Sequence, residues 1–168
     1  AAKGRKEEFD TLVDSAVAEV DQPRYVQKWQ ILDDFETRYF SRSENEQASQ
    51  WIRDTLESFG LEVEYHTYSH QGTRRNVVGT LPGLVEPEKV VYMTAHFDSI
   101  NRTGDQAHAP GADDNASGVA AFLEAARILS SYEFAYTIKF VGFNSEEQGM
   151  IGSRAYVASI PEGEEVIG

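Results

Sequence analysis

From Glu7 to Gly60 the apolar positions recur every three or four residues, the period of a helix with one buried face. Phe9, Leu12, Val13, Ala16, Val17 and Val20 make one stripe, and Val26, Trp29, Leu32 and Phe35 make a second. Ser43-Glu44-Asn45-Glu46 predicts a capping box, with the Ser43 hydroxyl accepting from the third helical amide and Glu46 reaching back. Behind it Ala48, Trp51, Ile52, Leu56 and Phe59 form a third apolar face, closed by Gly60. Trp29 and Trp51 fall within these stripes and are expected in the core, not at a ligand.

After Gly60 the period drops to two. Leu61, Val63, Tyr65 and Thr67 alternate with Glu62, Glu64 and His66, as in a half-buried strand. Asn76–Leu81 predicts a second strand, stopped by Pro82-Gly83. Lys89–Ala95 is more uniformly apolar, as expected of a strand covered on both faces. A helix over Ala116–Leu129, a fourth strand over Tyr136–Phe143 and a helix over Ile151–Ala158 complete the pattern. Strands alternating with helices imply a three-layer α/β/α fold with a mixed, partly parallel sheet. The chain is expected to be one domain, 1–168, with a helical part (7–60) and an α/β part (61–168).

The composition narrows the chemistry. A chain of 168 residues with a formal net charge of −13 repels phosphate backbones and anionic lipid, which argues against nucleic-acid and membrane partners. No stretch approaches the roughly 18 apolar residues of a spanning helix. Cysteine is absent, so thiol nucleophiles and cysteine-held metals are excluded. Any metal must be held by His, Asp and Glu.

Three acidic clusters fall where the predicted strands end, the place where open α/β sheets collect ligands. They are Thr94-Ala95-His96-Phe97-Asp98-Ser99, then Pro110-Gly111-Ala112-Asp113-Asp114-Asn115-Ala116-Ser117-Gly118, and Asn144-Ser145-Glu146-Glu147-Gln148-Gly149. Each alone reads as ordinary structure: a strand-end histidine, a helix cap, a surface pair. Their joint placement on one rim suggests a carboxylate-rich metal site. His96 offers an imidazole nitrogen, and Asp98, two residues on, is placed to orient it. A carboxylate of the 113–114 pair can bridge two cations. Of Glu146 and Glu147, extended backbone turns only one towards a metal and leaves the other as a base. Zinc suits such nitrogen and oxygen donors, and manganese or cobalt would tolerate them.

These segments, with Asn76-Val77-Val78-Gly79-Thr80-Leu81-Pro82-Gly83 before them and Gly152-Ser153 behind, resemble the M28 zinc aminopeptidases, the leucine-aminopeptidase-like co-catalytic zinc exopeptidases. Thr37-Arg38-Tyr39 is similar too. The resemblance implies a zinc-exopeptidase-like (phosphorylase/hydrolase-like) fold and removal of N-terminal residues from peptide substrates by a water activated between two zinc ions. It implies His96, Asp114 and Glu147 as metal ligands with Asp114 bridging, Glu146 as general base and Asp98 as support for His96. Counting back from Ser117-Gly118 selects Asp114 over Asp113. It also implies a cis peptide between Asp114 and Asn115.

The resemblance implies two further ligands, an Asp and a His, that no residue of this sequence supplies. His66 and His70 precede the motifs and are expected to be solvated on one strand face, and His108 lies in the loop leading to Asp114. The chain thus reads as the N-terminal portion of such a domain, inactive by itself. The strand beside the His96 strand is expected just beyond Gly168, leaving an edge for the rest of the domain or a second copy to cover. A non-catalytic binding or receptor module on the same fold is the alternative, and an amidohydrolase or acyl-transfer relative a third class. Glu146 favours the enzyme, because a binding module has no use for the base. Ala1–Lys6 carry no apolar stretch. Family precedent makes a secreted or periplasmic mature chain the expectation, with the cytoplasm the other option.

Overall fold

The apolar stripes of the first third become three helices: α1 (Ala2–Ala18), α2 (Gln22–Asp33) and α3 (Ser43–Ser58). The computed structural model describes residues 2–168, with side chains from Asp10 onward, so Phe9 lies outside the described side chains. Asp21 caps α2, its carboxylate accepting from the Arg24 amide at 2.9 Å. The expected capping box at α3 is not formed. Ser43 is already helical, Arg42 occupies the cap position, and Glu46 turns outward to Arg75, 2.6 Å away. The other end behaves as predicted. Gly60, with φ +86°, lets its own amide reach the Glu57 carbonyl and the Leu61 amide reach that of Leu56, while both leucines enter the core.

Five strands form one sheet in the order β1-β2-β4-β3-β5: β1 (Glu62–Ser69), β2 (Thr73–Leu81), β3 (Glu86–His96), β4 (Tyr136–Phe143) and β5 (Glu165–Val166). β1, β2 and β4 pair antiparallel, and β3 lies parallel to β4 and β5. The α4 helix (Ser117–Leu129) and α3 cover one face, where Ile52, Leu56, Val77, Phe97, Val119, Leu123 and Phe140 make the main core. On the other face α5 (Ile151–Val157) places Tyr156 on Val78 and Val141. This is the mixed three-layer α/β arrangement that the periodicity implies.

Three expectations change. The strand placed beyond Gly168 already begins at Glu165: the Ile167 amide donates to the Val90 carbonyl at 3.0 Å, and the Tyr92 amide to that of Gly168 at 2.9 Å. Glu164 draws the chain back over the sheet, accepting from the Tyr92 hydroxyl and from Lys139 at 2.5 Å. Among the described residues, Met93–His96 have no strand partner on that side. Secondly, β3 is not covered evenly. Val90 and Ala95 are buried, whereas Val91, Tyr92 and Met93 are half-buried and Thr94 is exposed; α5 meets this strand through Tyr156, edge-on to Tyr92. Thirdly, the α1 stripe is largely uncovered. Val17 and Val20 are 65% and 60% exposed, and the stripe forms with α4 an open apolar groove of about 430 Å³.

A buried charge cluster docks α2 on α4. The Glu124 carboxylate accepts from Lys28 Nζ at 2.7 Å, from the Arg127 guanidinium and from the Asp21 amide. Burial by itself would raise the Glu124 pKa, but these donors outweigh it and hold the group at about 2, below its ordinary 4.5. A depressed carboxylate contributes stability that is fully present above the ordinary pKa and is lost as pH falls through the folded one. The unfolding free energy should therefore fall by about 2–3 kcal/mol more between pH 4.5 and pH 2 than in Glu124→Gln, as urea melts at each pH would measure.

Candidate metal centre

His96 is the last residue of β3, and the parallel pairing with β4 puts it level with Phe143, so both strands deliver their following loops to the same rim. The His96 Nε2 lies 2.9 Å from Asp114 Oδ1. Asp114 sits in an irregular turn, Ala112–Ala116, whose Asp114–Asn115 peptide bond is cis, as the resemblance implied. Gly111 opens this turn with φ +57°, and a Cβ there would stand 2.6 Å from the Asp114 carbonyl oxygen and from Ser99 Cβ, so no other residue fits without movement. The turn brings Asp114, not Asp113, to the histidine.

Asp98 is fully buried. Its Oδ1 and Oδ2 accept from the Glu146 and Glu147 amides at 3.0 and 3.2 Å. It meets the histidine chiefly through its main chain: His96 Nδ1 is 3.2 Å from the Asp98 carbonyl oxygen and 3.6 Å from the carboxylate. Asp98 therefore fastens the Glu146–Glu147 loop to the His96 loop. Glu146 faces a cleft of about 330 Å³, sharing its wall with His96, Asn115, Phe143 and Met150. Glu147 turns inward, 6% exposed at its side chain, with Oε2 3.6 Å from Arg102. The two neighbouring glutamates thus have different surroundings.

The charges at the rim interact strongly. Burial alone would disfavour a protonated His96, but the Asp98 carboxylate beside it and the charges of Glu146 and Asp114 raise it to about 9. Burial, then the Asp114 and Asp98 charges, pushes the Glu147 carboxyl above the usual carboxylate range. A rim that raises both groups is short of positive charge. The donors match zinc in kind; their 2.9 Å separation is a hydrogen-bond distance, shorter than the roughly 3.3 Å between two tetrahedral donors on one ion with bonds of about 2.0 Å. Among the described residues, no three His, Asp or Glu side chains converge on one point, and Glu147 lies 3.6 Å from Arg102.

The other histidines lie elsewhere. His66 is half-buried rather than solvated, edge-on to Tyr156 and bonded to Asn76 at 3.1 Å. His70 is likewise half-buried rather than solvated, beyond the end of β1 and tilted on Phe40, and His108 is held by Asp105 at 2.8 Å. Periodicity alone missed the polar layer beneath the rim. Arg38, fully buried, donates to the carbonyls of Leu32, Phe97, Pro110 and Gly111. Asn45 and Asn144 exchange amide hydrogen bonds, and Asn76 accepts from the Asn144 amide at 2.9 Å. Trp29, expected in the core, donates its indole N–H to the Ala112 carbonyl at 2.9 Å and so steadies the Asp114 turn.

Fold and rim together define a class: a mixed-sheet α/β scaffold with a histidine and carboxylates gathered at the carboxyl ends of parallel strands. Residues 76–167 match the family described as Peptidase family M28, and the chain belongs to that family. It is 32% identical over 136 residues to leucine aminopeptidase 1 of Paracoccidioides brasiliensis, matching 72% of this chain and 34% of that protein. Among solved structures, LapB from Legionella pneumophila superposes with a TM-score of 0.75 at 25% identity, over 87% of this chain and 40% of that one. A zinc-dependent exopeptidase from Parabacteroides distasonis shares the fold at a TM-score of 0.71 and 21% identity, over 85% and 57% of the two chains. The chain spans about a third of the length of the curated relatives it matches.

Removing the carboxylate that joins the two loops has a direct consequence. Asp98→Ala should lower the unfolding free energy by about 3 kcal/mol, since two amide donors lose a charged acceptor inside the protein. Urea denaturation of the metal-free chain measures it, and a change under about 0.5 kcal/mol would contradict the fastening role.

Proposed function

We propose that this chain carries part of the site of a zinc-dependent aminopeptidase, in which His96, Asp114 and Glu147 hold metal and Glu146 handles the proton. The observation that carries the reading is the His96–Asp114 contact of 2.9 Å with Glu146 on the wall of the adjoining cleft. Family membership and the names of the relatives support the same activity. Zinc, when bound, supplies a positive centre that polarises a carbonyl and acidifies water. Glu146 takes the proton from the attacking water and returns it to the departing amine. Asp98 keeps Glu146 in reach by holding its amide. The acidic rim suits a substrate that presents a protonated amino group, which is what distinguishes an N-terminus from an internal peptide bond.

Two ions, with Asp114 bridging, are part of the proposal. His96, Asp114 and Glu147 would give each ion two protein donors, one fewer than the three a catalytic zinc ordinarily takes. The 168-residue chain is therefore expected to hydrolyse leucine p-nitroanilide very slowly even with zinc added, and turnover near that of an intact family member would contradict this. In a protein that contains the chain and turns over, Glu146→Gln should lower kcat by about 10²–10⁴-fold while zinc affinity stays within about threefold. Unchanged kcat would remove Glu146 from the reaction.

A further inference from the structure

The most deeply buried cation in the described residues lies directly under this rim, and its partners are main-chain carbonyls from the segments that bring the candidate ligands together. Arg38 Nε donates to the Phe97 carbonyl at 2.7 Å, one residue beyond His96. Its Nη1 donates to Pro110 and its Nη2 to Gly111 at 3.0 Å, at the entry to the Asp114 turn. The remaining Nη1 bond, 2.7 Å to Leu32, anchors the same group to the end of α2. A guanidinium is flat and rigid, so carbonyls bound around its edge are held at fixed spacing, which three rotatable N–H bonds on a lysine do not provide.

We propose that Arg38 is a positioning residue for the site: its guanidinium sets the separation of His96 and Asp114 and so prepares their shared ion position. The inference rests on reading the rim as a metal-dependent peptidase site. Arg38 is itself held at both ends of its main chain. Its amide donates to Ser99 Oγ at 2.9 Å, and its carbonyl accepts from Asn45 Nδ2 at 2.7 Å. Asn45 continues to Asn144, immediately before the Ser145-Glu146-Glu147 turn, so the Glu loop is tied into the same layer. The fit around the guanidinium is close: a Cβ on Gly111 would stand 3.2 Å from Nη2.

A general contribution to stability would lower the melting temperature of an Arg38 variant and leave the folded protein's metal affinity alone. A positioning role lowers the affinity of the folded protein as well. The test measures zinc binding to the full chain by titration calorimetry, for the unsubstituted protein, Arg38→Lys and Arg38→Ala. It is run at a temperature where circular dichroism shows each folded, with Ile52→Val as a core variant of reduced stability. Arg38→Lys should weaken zinc binding about 10- to 100-fold, while Ile52→Val leaves it unchanged. Millimolar methylguanidinium, but not methylammonium, should restore most of what Arg38→Ala loses. If the alanine variant does not fold, the lysine variant carries the comparison. Equal zinc affinity in the unsubstituted and Arg38→Lys proteins would overturn the inference and leave the metal reading standing. Failure of the unsubstituted chain to bind zinc would overturn that reading and this inference with it.

Discussion

A guanidinium taken out of water needs acceptors for its N–H groups, and in this chain the acceptors lie in the loops that make the candidate site. Burial lowers the Arg38 pKa to about 10, with Asp98 and Asp33 acting in the opposite sense, so the group stays charged at neutral pH. Desolvating such a cation costs several kcal/mol. Four hydrogen bonds from a charged donor, each contributing about 1.5–3 kcal/mol, are of the size needed to offset it. The arrangement is stable only with Leu32, Phe97, Pro110 and Gly111 all in place. Folding the cation into the protein therefore folds the rim above it.

Asp98 is the acidic counterpart one layer up. It is wholly enclosed, and its oxygens take the two amides of the glutamate pair. Together Arg38 and Asp98 join the end of α2, the loop after β3, the Asp114 turn and the loop after β4. Parallel pairing of β3 and β4 gives these loops a common edge, and the buried charges give them a common spacing. At Ser145, φ of +58° puts a non-glycine residue in the left-handed region. The Asn144 side chain accepts its amide and the Tyr68 hydroxyl lies 3.0 Å from its Oγ. Side chains beneath the rim thus position those that line it.

The elements with a strong period were legible in the sequence. The β4 strand matches its predicted bounds, the α4 helix begins one residue later than predicted, and Gly60 ends α3 through the conformation that a glycine stop requires. The three clusters that form the rim were legible as well, because strand ends are marked by the change from apolar runs to His and Asp. What escaped were properties set by partners distant in sequence. Whether Ser43 caps a helix depends on where the preceding turn ends. Whether α1 is buried depends on how much of α4 it meets. The identity of Asp98's partners depends on a loop 48 residues away, to which its short-range reading as a support for His96 gave no access. Arg38 in the Thr37-Arg38-Tyr39 stretch was visible only as a similarity, since nothing local says that this cation will find four carbonyls.

On this reading the protein's own buried charges assemble the rim before any metal arrives. Native-state hydrogen exchange of the Glu146 and Glu147 amides in the metal-free chain tests it most directly. Both donate to the enclosed Asp98 carboxylate, so both should exchange roughly a hundredfold or more slowly than in an unfolded chain, with or without added zinc. Exchange at the unfolded-chain rate without zinc, and protection appearing only on its addition, would show that the metal organises the rim and would contradict the account.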